Sequence, residues 1–304
     1  MKRPIVIVLG MHRSGTSLCS SILSTLGFDM ADDLRANDSN PRGHWERWEI
    51  VGYHDRILAL FDRDYYSPNH ALALPPDWWT DPRVRAIRDE LVAWLRKRMG
   101  DRSRFGFKDP RTCRMLPLWH EVVAELGLDP FYVMCVRDPR HIVRSIARRD
   151  GFDREDTEYR YVTYYAHAIA GIGTAPVAAI PYDSWFDDRA ANLARLTRGL
   201  DLAWDRDDPN SREALDAIIE PGLRHDPVSP EPPVASGTGA LYRLMLEAVA
   251  QQRFGDELRA VAAAILGMEV LSAPVQRAAE RWRAHGKEIQ ESAAPGNAPE
   301  IPRG

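Results

Sequence analysis

Gly10-Met11-His12-Arg13-Ser14-Gly15-Thr16-Ser17 is the segment that most restricts what this chain can fold into. It follows a β-branched apolar run at residues 4–9 (PIVIVL) and precedes Leu18, Ile22 and Leu26, which recur at four-residue intervals before Gly27. A short unbroken apolar run suits a strand buried on both faces of a parallel sheet, and the four-residue spacing closed by glycine suits a helix with its C-cap. Between the two, glycines let the backbone turn tightly enough for successive N–H groups and a helix N-terminus to surround an anion. The simpler alternative is a glycine-containing turn whose serine caps the helix.

The spacing is that of a P-loop, GxxxxG, yet Thr16 stands where a nucleoside triphosphatase carries its Walker lysine. The positive charge lies inside the loop instead, at Arg13 beside His12, where a guanidinium can fork onto the oxygens of a phosphosulfate group. A second anion site is legible in residues 137–145 (RDPRHIVRS). Arg137 ends a predicted strand at 131–136, and Ser145 lies about two helical turns further on, so both can face one ligand. Asp138 is placed to cap the intervening helix, with Pro139 as its first residue. Arg140, Arg144 and Arg148 continue at four-residue intervals and Arg149 ends the helix, a stripe that by itself reads as a solvated face.

Along the rest of the chain, helices are expected at about 44–62, 83–99, 115–126, 157–170 and 187–199, and strands at 104–107 and 177–182. Residues 64–82, rich in Pro, Asp and Asn, are expected to be irregular and to form a lid or acceptor wall. Strands alternating with helices imply an α/β class: a three-layer, P-loop NTPase-like fold with a central parallel sheet flanked by helices, plus C-terminal helices at 239–251 and 255–285. The expected organisation is an α/β domain over 1–220, a linker at 221–237, a helical extension at 238–290 and a disordered tail at 291–304.

Composition excludes several classes. With 44% apolar and 28% charged residues the chain reads as an ordinary soluble protein, and no apolar run approaches the ~20 residues that span a bilayer. A net charge of −4 supplies no global field for nucleic acid. Lys2 and Arg3 precede a run too short for a secretory signal, so the N-terminus reads as a strand and the expected location is cytoplasmic. Cys19, Cys113 and Cys135 have no CxxC spacing and read as reduced, buried thiols; no His/Cys cluster has metal-ligand spacing, so no metal is expected.

The loop Gly10–Ser17 and the Arg137…Ser145 spacing resemble the PAPS-dependent sulfotransferase family, in particular bacterial members whose loop reads G-M-H-R-S-G-T-S. The resemblance implies 3′-phosphoadenosine 5′-phosphosulfate (PAPS) as donor. Arg13, Ser14, Gly15, Thr16 and Ser17, with Gly10 at the turn, would hold the 5′-phosphosulfate, with His12 close to the transferring sulfur. Arg137 and Ser145 would hold the 3′-phosphate. It also implies an acceptor-activating carboxylate or histidine in the segment NPRGHWE, where Glu46, expected to begin a helix, is the first choice, His44 the second and His12 the third. Helix-dipole stabilisation is the rival role for Glu46.

Lys108, in FKDPR, resembles the lysine of a K-x-P segment and is a candidate cation for the leaving phosphate or the sulfuryl oxygens, with Arg111 assisting; a salt bridge to Asp109 or Asp138 is the alternative. Trp45, Trp48, Trp78 and Trp79 invite sugar stacking, though tryptophan is more often core or wall. No late basic glycine loop is evident unless Ser236-Gly-Thr-Gly239 substitutes for it. A hydroxyl or amine on a carbohydrate-like or small-molecule acceptor follows from the resemblance, and homo-oligomerisation is left open. The alternatives are a P-loop small-molecule kinase, with Asp109 or Asp138 on Mg²⁺, and a non-catalytic nucleotide-binding protein of the same fold.

Overall fold

The computed structural model describes residues 3–36, 42–67, 70–200, 209–219 and 234–271. Strands β1 (Arg3–Leu9), β2 (Phe105–Lys108), β3 (Leu128–Val136) and β4 (Val177–Pro181) form one parallel sheet in the order β2-β1-β3-β4. Alternation along β1 divides the core in two. Ile5, Ile7 and Leu9 join one cluster, and Val6 and Val8 the other. Tyr132, Met134 and Val136 of β3 face the first side, while Phe131, Val133 and Cys135 face the second. Successive strand residues point to opposite faces, so a run that is apolar at every position requires a layer of helices on each side.

On the first side lie α2 (Trp48–Ala59), α3 (Pro82–Met99), α4 (Thr112–Glu125), α6 (Arg154–Ile172) and α10 (Ser236–Gln251). On the second lie α1 (Thr16–Thr25), α7 (Ser184–Asp187), α8 (Arg189–Gly199) and α9 (Pro209–Ile218). Helix α5 (Pro139–Asp150) follows β3 and buries Ile142 and Ile146 on the first side. The molecule is therefore the α/β three-layer, P-loop-like arrangement, with β1 central and both its neighbours parallel to it.

Several boundaries differ from the sequence expectations for identifiable reasons. Strand β3 begins at Leu128 and passes through Pro130. Pairing with β4 starts only at Tyr132, so the missing proline N–H falls where the strand is still an edge on that side. The helix expected from residue 44 starts at Trp48, because Arg47 is extended and its buried guanidinium bonds the carbonyl of Gly106 at the sheet edge and the carboxylate of Asp29. Glu46 thus precedes the helix, and the acid in the first turn is Glu49. At α5 the expected cap is present: Asp138 accepts from Arg140 N, and Pro139 is the first helical residue.

Helix α10 begins at Ser236, inside the stretch expected as a linker, and buries Leu241, Met245, Ala248 and Val249 in the first core cluster. Residues 256–271 are helical; residues 221–233 of the expected linker, the continuation of that helix to 285 and the expected tail at 291–304 lie outside the described residues. No helix among the described residues is long and apolar enough to cross a membrane.

Candidate active site

Ligands of open parallel sheets gather at the carboxyl ends of the strands, where connections leave a strand in opposite directions. Here β1 is followed in sequence by β2 on one side and paired with β3 on the other, so the loop at residues 10–15 sits at that point. Gly10, Arg13 and Gly15 all have positive φ, which wraps the loop around the N-terminus of α1. Gly15 must be glycine, because a Cβ there would lie 2.2 Å from the ring of Tyr182. No acidic residue occupies the first turn of α1, so the positive end of its dipole is left for an anion.

The two anion elements read from the sequence meet here. Arg13 Nε donates to Ser145 Oγ at 2.7 Å, across 132 residues of chain, and Arg137 Nη1 donates to the Arg13 carbonyl at 2.7 Å. Arg137 is only 4% exposed, lies over the Tyr182 ring at 4.1 Å, and its buried Nε has no hydrogen-bond partner among the described residues. Burial, with the charges of Arg149 and Arg137, lowers Arg13 to about 10, and burial lowers Arg137 as well. Crowded, desolvated cations with an unused donor are what a phosphate or sulfate would relieve.

His12 is half-buried, with its ring centroid 4.6 Å from that of Tyr65. Its Nε2 is buried and has no hydrogen-bond partner among the described residues. Burial, then the charges of Arg149 and Arg111, hold it well below the usual imidazole range, so the ring is neutral at physiological pH.

At the end of β2, Lys108 Nζ donates to Glu46 Oε1 at 2.6 Å and to the His44 carbonyl at 2.9 Å. The same carbonyl accepts from Ser17 Oγ at 2.9 Å, which ties the candidate base segment to the first turn of α1. The bond of Lys108 is therefore to Glu46, not to Asp109 or Asp138. Burial and nearby Lys108, Arg149 and Arg13 lower His44, against the opposing pull of Glu46. The expected base, the expected cation and the phosphate loop are thus brought into one assembly.

The segment after α2 forms a wall of this assembly. Arg114 donates to the carbonyls of His70 and Leu72 and so pins the chain from beneath. His70 Nε2 lies 2.6 Å from Tyr164 Oη, and Tyr65 closes over His12. The four tryptophans divide: Trp78 is core and Trp79 packs on it, Trp45 donates to the Arg42 carbonyl, and Trp48 already lies under Arg35 at 4.1 Å. Ser236-Gly-Thr-Gly239 forms the first turn of α10.

Arg149 reads from the sequence only as the end of a solvated arginine stripe. It lies in the last turn of α5, held by Asp150 in a two-pronged ion pair and by Tyr65 Oη at 2.7 Å. Its charge acts on His12, Arg13 and His44. The available signal was its position four residues after Ser145, one turn along the same face. Tyr182, missed as a site residue because it closes an apolar strand pattern, is the floor under Gly15 and Arg137.

A glycine cradle at the end of a central strand of a parallel sheet, with buried cations beside it, is the arrangement of a P-loop-like α/β fold. A family model described as "Sulfotransferase family" matches residues 4–206, most of the chain, and the protein belongs to that family. No curated protein matches it. Among solved structures, the sulfotransferase domain of the olefin synthase from Synechococcus PCC 7002 is 18% identical, with a TM-score of 0.48 over 82% of this chain and 96% of that one. A putative kinase from Chloroflexus aurantiacus is 12% identical, with a TM-score of 0.38 over 67% and 100%. The sulfotransferase domain from the curacin biosynthetic pathway is 12% identical, with a TM-score of 0.40 over 87% and 98%. These distant likenesses add nothing to what the sheet and the family match establish.

Proposed function

We propose that the protein transfers a sulfuryl group from PAPS to a hydroxyl or amine of a carbohydrate-like or small-molecule acceptor. The observation that carries this reading is the junction of Arg13, Arg137 and Ser145, in which a buried arginine keeps an unused Nε beside a glycine cradle. The donor has two anionic groups, and the residues present fit both. The loop Gly10–Ser17 would hold the 5′-phosphosulfate, and Arg137 with Ser145 the 3′-phosphate. In the transfer, the acceptor oxygen or nitrogen bonds to sulfur, the bond from sulfur to the bridging oxygen breaks, and adenosine 3′,5′-bisphosphate leaves with that electron pair. Glu46 is the assigned acceptor of the proton, with Lys108 and His12 at the sulfuryl oxygens.

The kinase alternative is disfavoured by how its two candidate metal carboxylates are used. Asp109 is bonded to His54 and Arg111, and Asp138 to the backbone and side chain of Arg140. The three cysteines are buried and unbridged, in keeping with a reducing cytoplasm. Calorimetry with adenosine 3′,5′-bisphosphate and with ATP, each with and without Mg²⁺, tests the reading. Metal-independent micromolar binding of the bisphosphate is expected; binding of Mg-ATP alone would replace the sulfotransferase assignment with the kinase one. Bisphosphate binding without turnover across an acceptor screen would point to the non-catalytic alternative.

A further inference from the structure

Behind the site lies a buried chain of side chains that the proposed chemistry does not use. Trp119 Nε1 donates to His54 Nε2 at 2.9 Å, His54 Nδ1 meets Asp109 Oδ2 at 2.7 Å, and Arg111 Nη1 donates to Asp109 Oδ1 at 2.7 Å. His54, Asp109 and Trp119 are each wholly inaccessible to solvent. An indole N–H only donates, so His54 Nε2 must accept, its hydrogen sits on Nδ1, and Asp109 receives it. Both nitrogens of His54 are therefore committed, which denies it a role as base and makes it a fixed strut. Burial opposes ionisation of Asp109, but the charge of Arg111 and the His54 hydrogen bond overcome it and hold the carboxyl below the usual range.

The strut ends on Arg111, whose backbone N–H also bonds Asp109 Oδ1 and whose Nε lies 2.9 Å from Asp55. No hydrogen bond among the described residues involves its Nη2. Arg111 follows Lys108, the last residue of β2, by three residues, so both cations leave the same strand end; in keeping with that placement, the charge of Arg111 lowers His12, and Glu46 raises Arg111. A largely buried arginine oriented by two carboxylates, with one nitrogen unspent and set at the strand end that also carries Lys108, has the geometry of a preorganised cation.

We propose that Arg111 is a further catalytic cation for the sulfuryl oxygens and that Trp119, His54 and Asp109 are its positioning residues. The proposal rests on the sulfotransferase reading above. In the in-line transition state the sulfur is five-coordinate and carries negative charge on its three equatorial oxygens as the acceptor bond forms and the bridging S–O bond breaks, and a fixed guanidinium needs no reorganisation to meet it.

The test follows decay of bound PAPS with water as acceptor, under single turnover with enzyme in excess, alongside calorimetry of adenosine 3′,5′-bisphosphate. Arg111→Ala is expected to slow decay about 100-fold while bisphosphate affinity stays within about threefold, and added guanidinium is expected to restore part of the rate. Trp119→Phe keeps the aromatic stack on Phe107, whose centroid is 4.2 Å away, and removes only the donor. It is expected to cost about tenfold in the wild-type background and nothing further beside Arg111→Ala. His54→Asn, which keeps a donor toward Asp109, is expected to fall between wild type and Arg111→Ala.

An Arg111→Ala variant within threefold of the wild-type rate, or a Trp119→Phe loss undiminished in the Arg111→Ala background, overturns the proposal. So does wild-type bisphosphate binding with no acceleration of PAPS decay, an outcome that leaves the donor site intact. Failure of the wild type to bind the bisphosphate at all is instead the failure of the sulfotransferase reading, and the proposal falls with it.

Discussion

Two ends of the site, each built around buried charge, are finished differently. At the loop after β1, Arg137 donates to the Arg13 carbonyl and lies over Tyr182, and it keeps a buried Nε with no hydrogen-bond partner among the described residues. At the end of β2, the charges are matched: buried Lys108 with buried Glu46, and half-buried Arg111 with buried Asp109 and exposed Asp55. Burying a polar group is costly unless it is paired, so an ion pair is satisfied within the protein, while an unused buried donor is stabilised by what it binds. The loop end thus keeps an unused buried donor, whereas the cations of the β2 end are oriented by the protein's own carboxylates.

Mutations at the two ends should accordingly fail in different assays. Asp109→Asn leaves Arg111 and His54 short of a buried anion and is expected to reduce stability by about 3–5 kcal/mol, read from the urea midpoint. Arg137→Ala is expected to weaken adenosine 3′,5′-bisphosphate by about 2–3 kcal/mol, roughly 30- to 150-fold by calorimetry, with a smaller shift of the urea midpoint. The contrast between the ends breaks if Asp109→Asn unfolds no more easily than Arg137→Ala.

A smaller effect sharpens the picture of the wall. His70 is buried, and burial with Arg114 and Arg160 lowers it to about 3. Its ordinary value lies near 6.5, so between those two values the unfolded chain binds a proton that the folded chain refuses, and stability falls as pH falls. From pH 6.5 to pH 5 this amounts to about 2 kcal/mol from His70 alone. In His70→Asn the pH dependence of the urea midpoint is expected to be shallower by one proton over that window; an unchanged slope would show that other groups set it.

Legibility in the sequence followed distance along the chain. The loop Gly10–Ser17, the cap at Asp138 and Pro139, and the alternation of strands and helices are local patterns, and they appear where expected. Glu46 was picked out, but not its partner: the bond to Lys108 spans 62 residues and needs β2 beside β1. The same distance hid the start of α2, which the sheet edge delays through Arg47. Arg149 looked like one more member of a solvated stripe, because nothing in its neighbours reveals that Tyr65 will reach across to it from 84 residues away.

By itself the sequence determined the backbone of the site: a cradle that glycine and positive φ require, set by apolar periodicity at the end of a doubly buried strand. Only the tertiary structure decided which charges would be spent on one another. Hydrogen bonding and desolvation act between groups that are neighbours in space, so Arg137 with its unused Nε and Arg111 clasped by Asp109 become distinguishable once the sheet has gathered them.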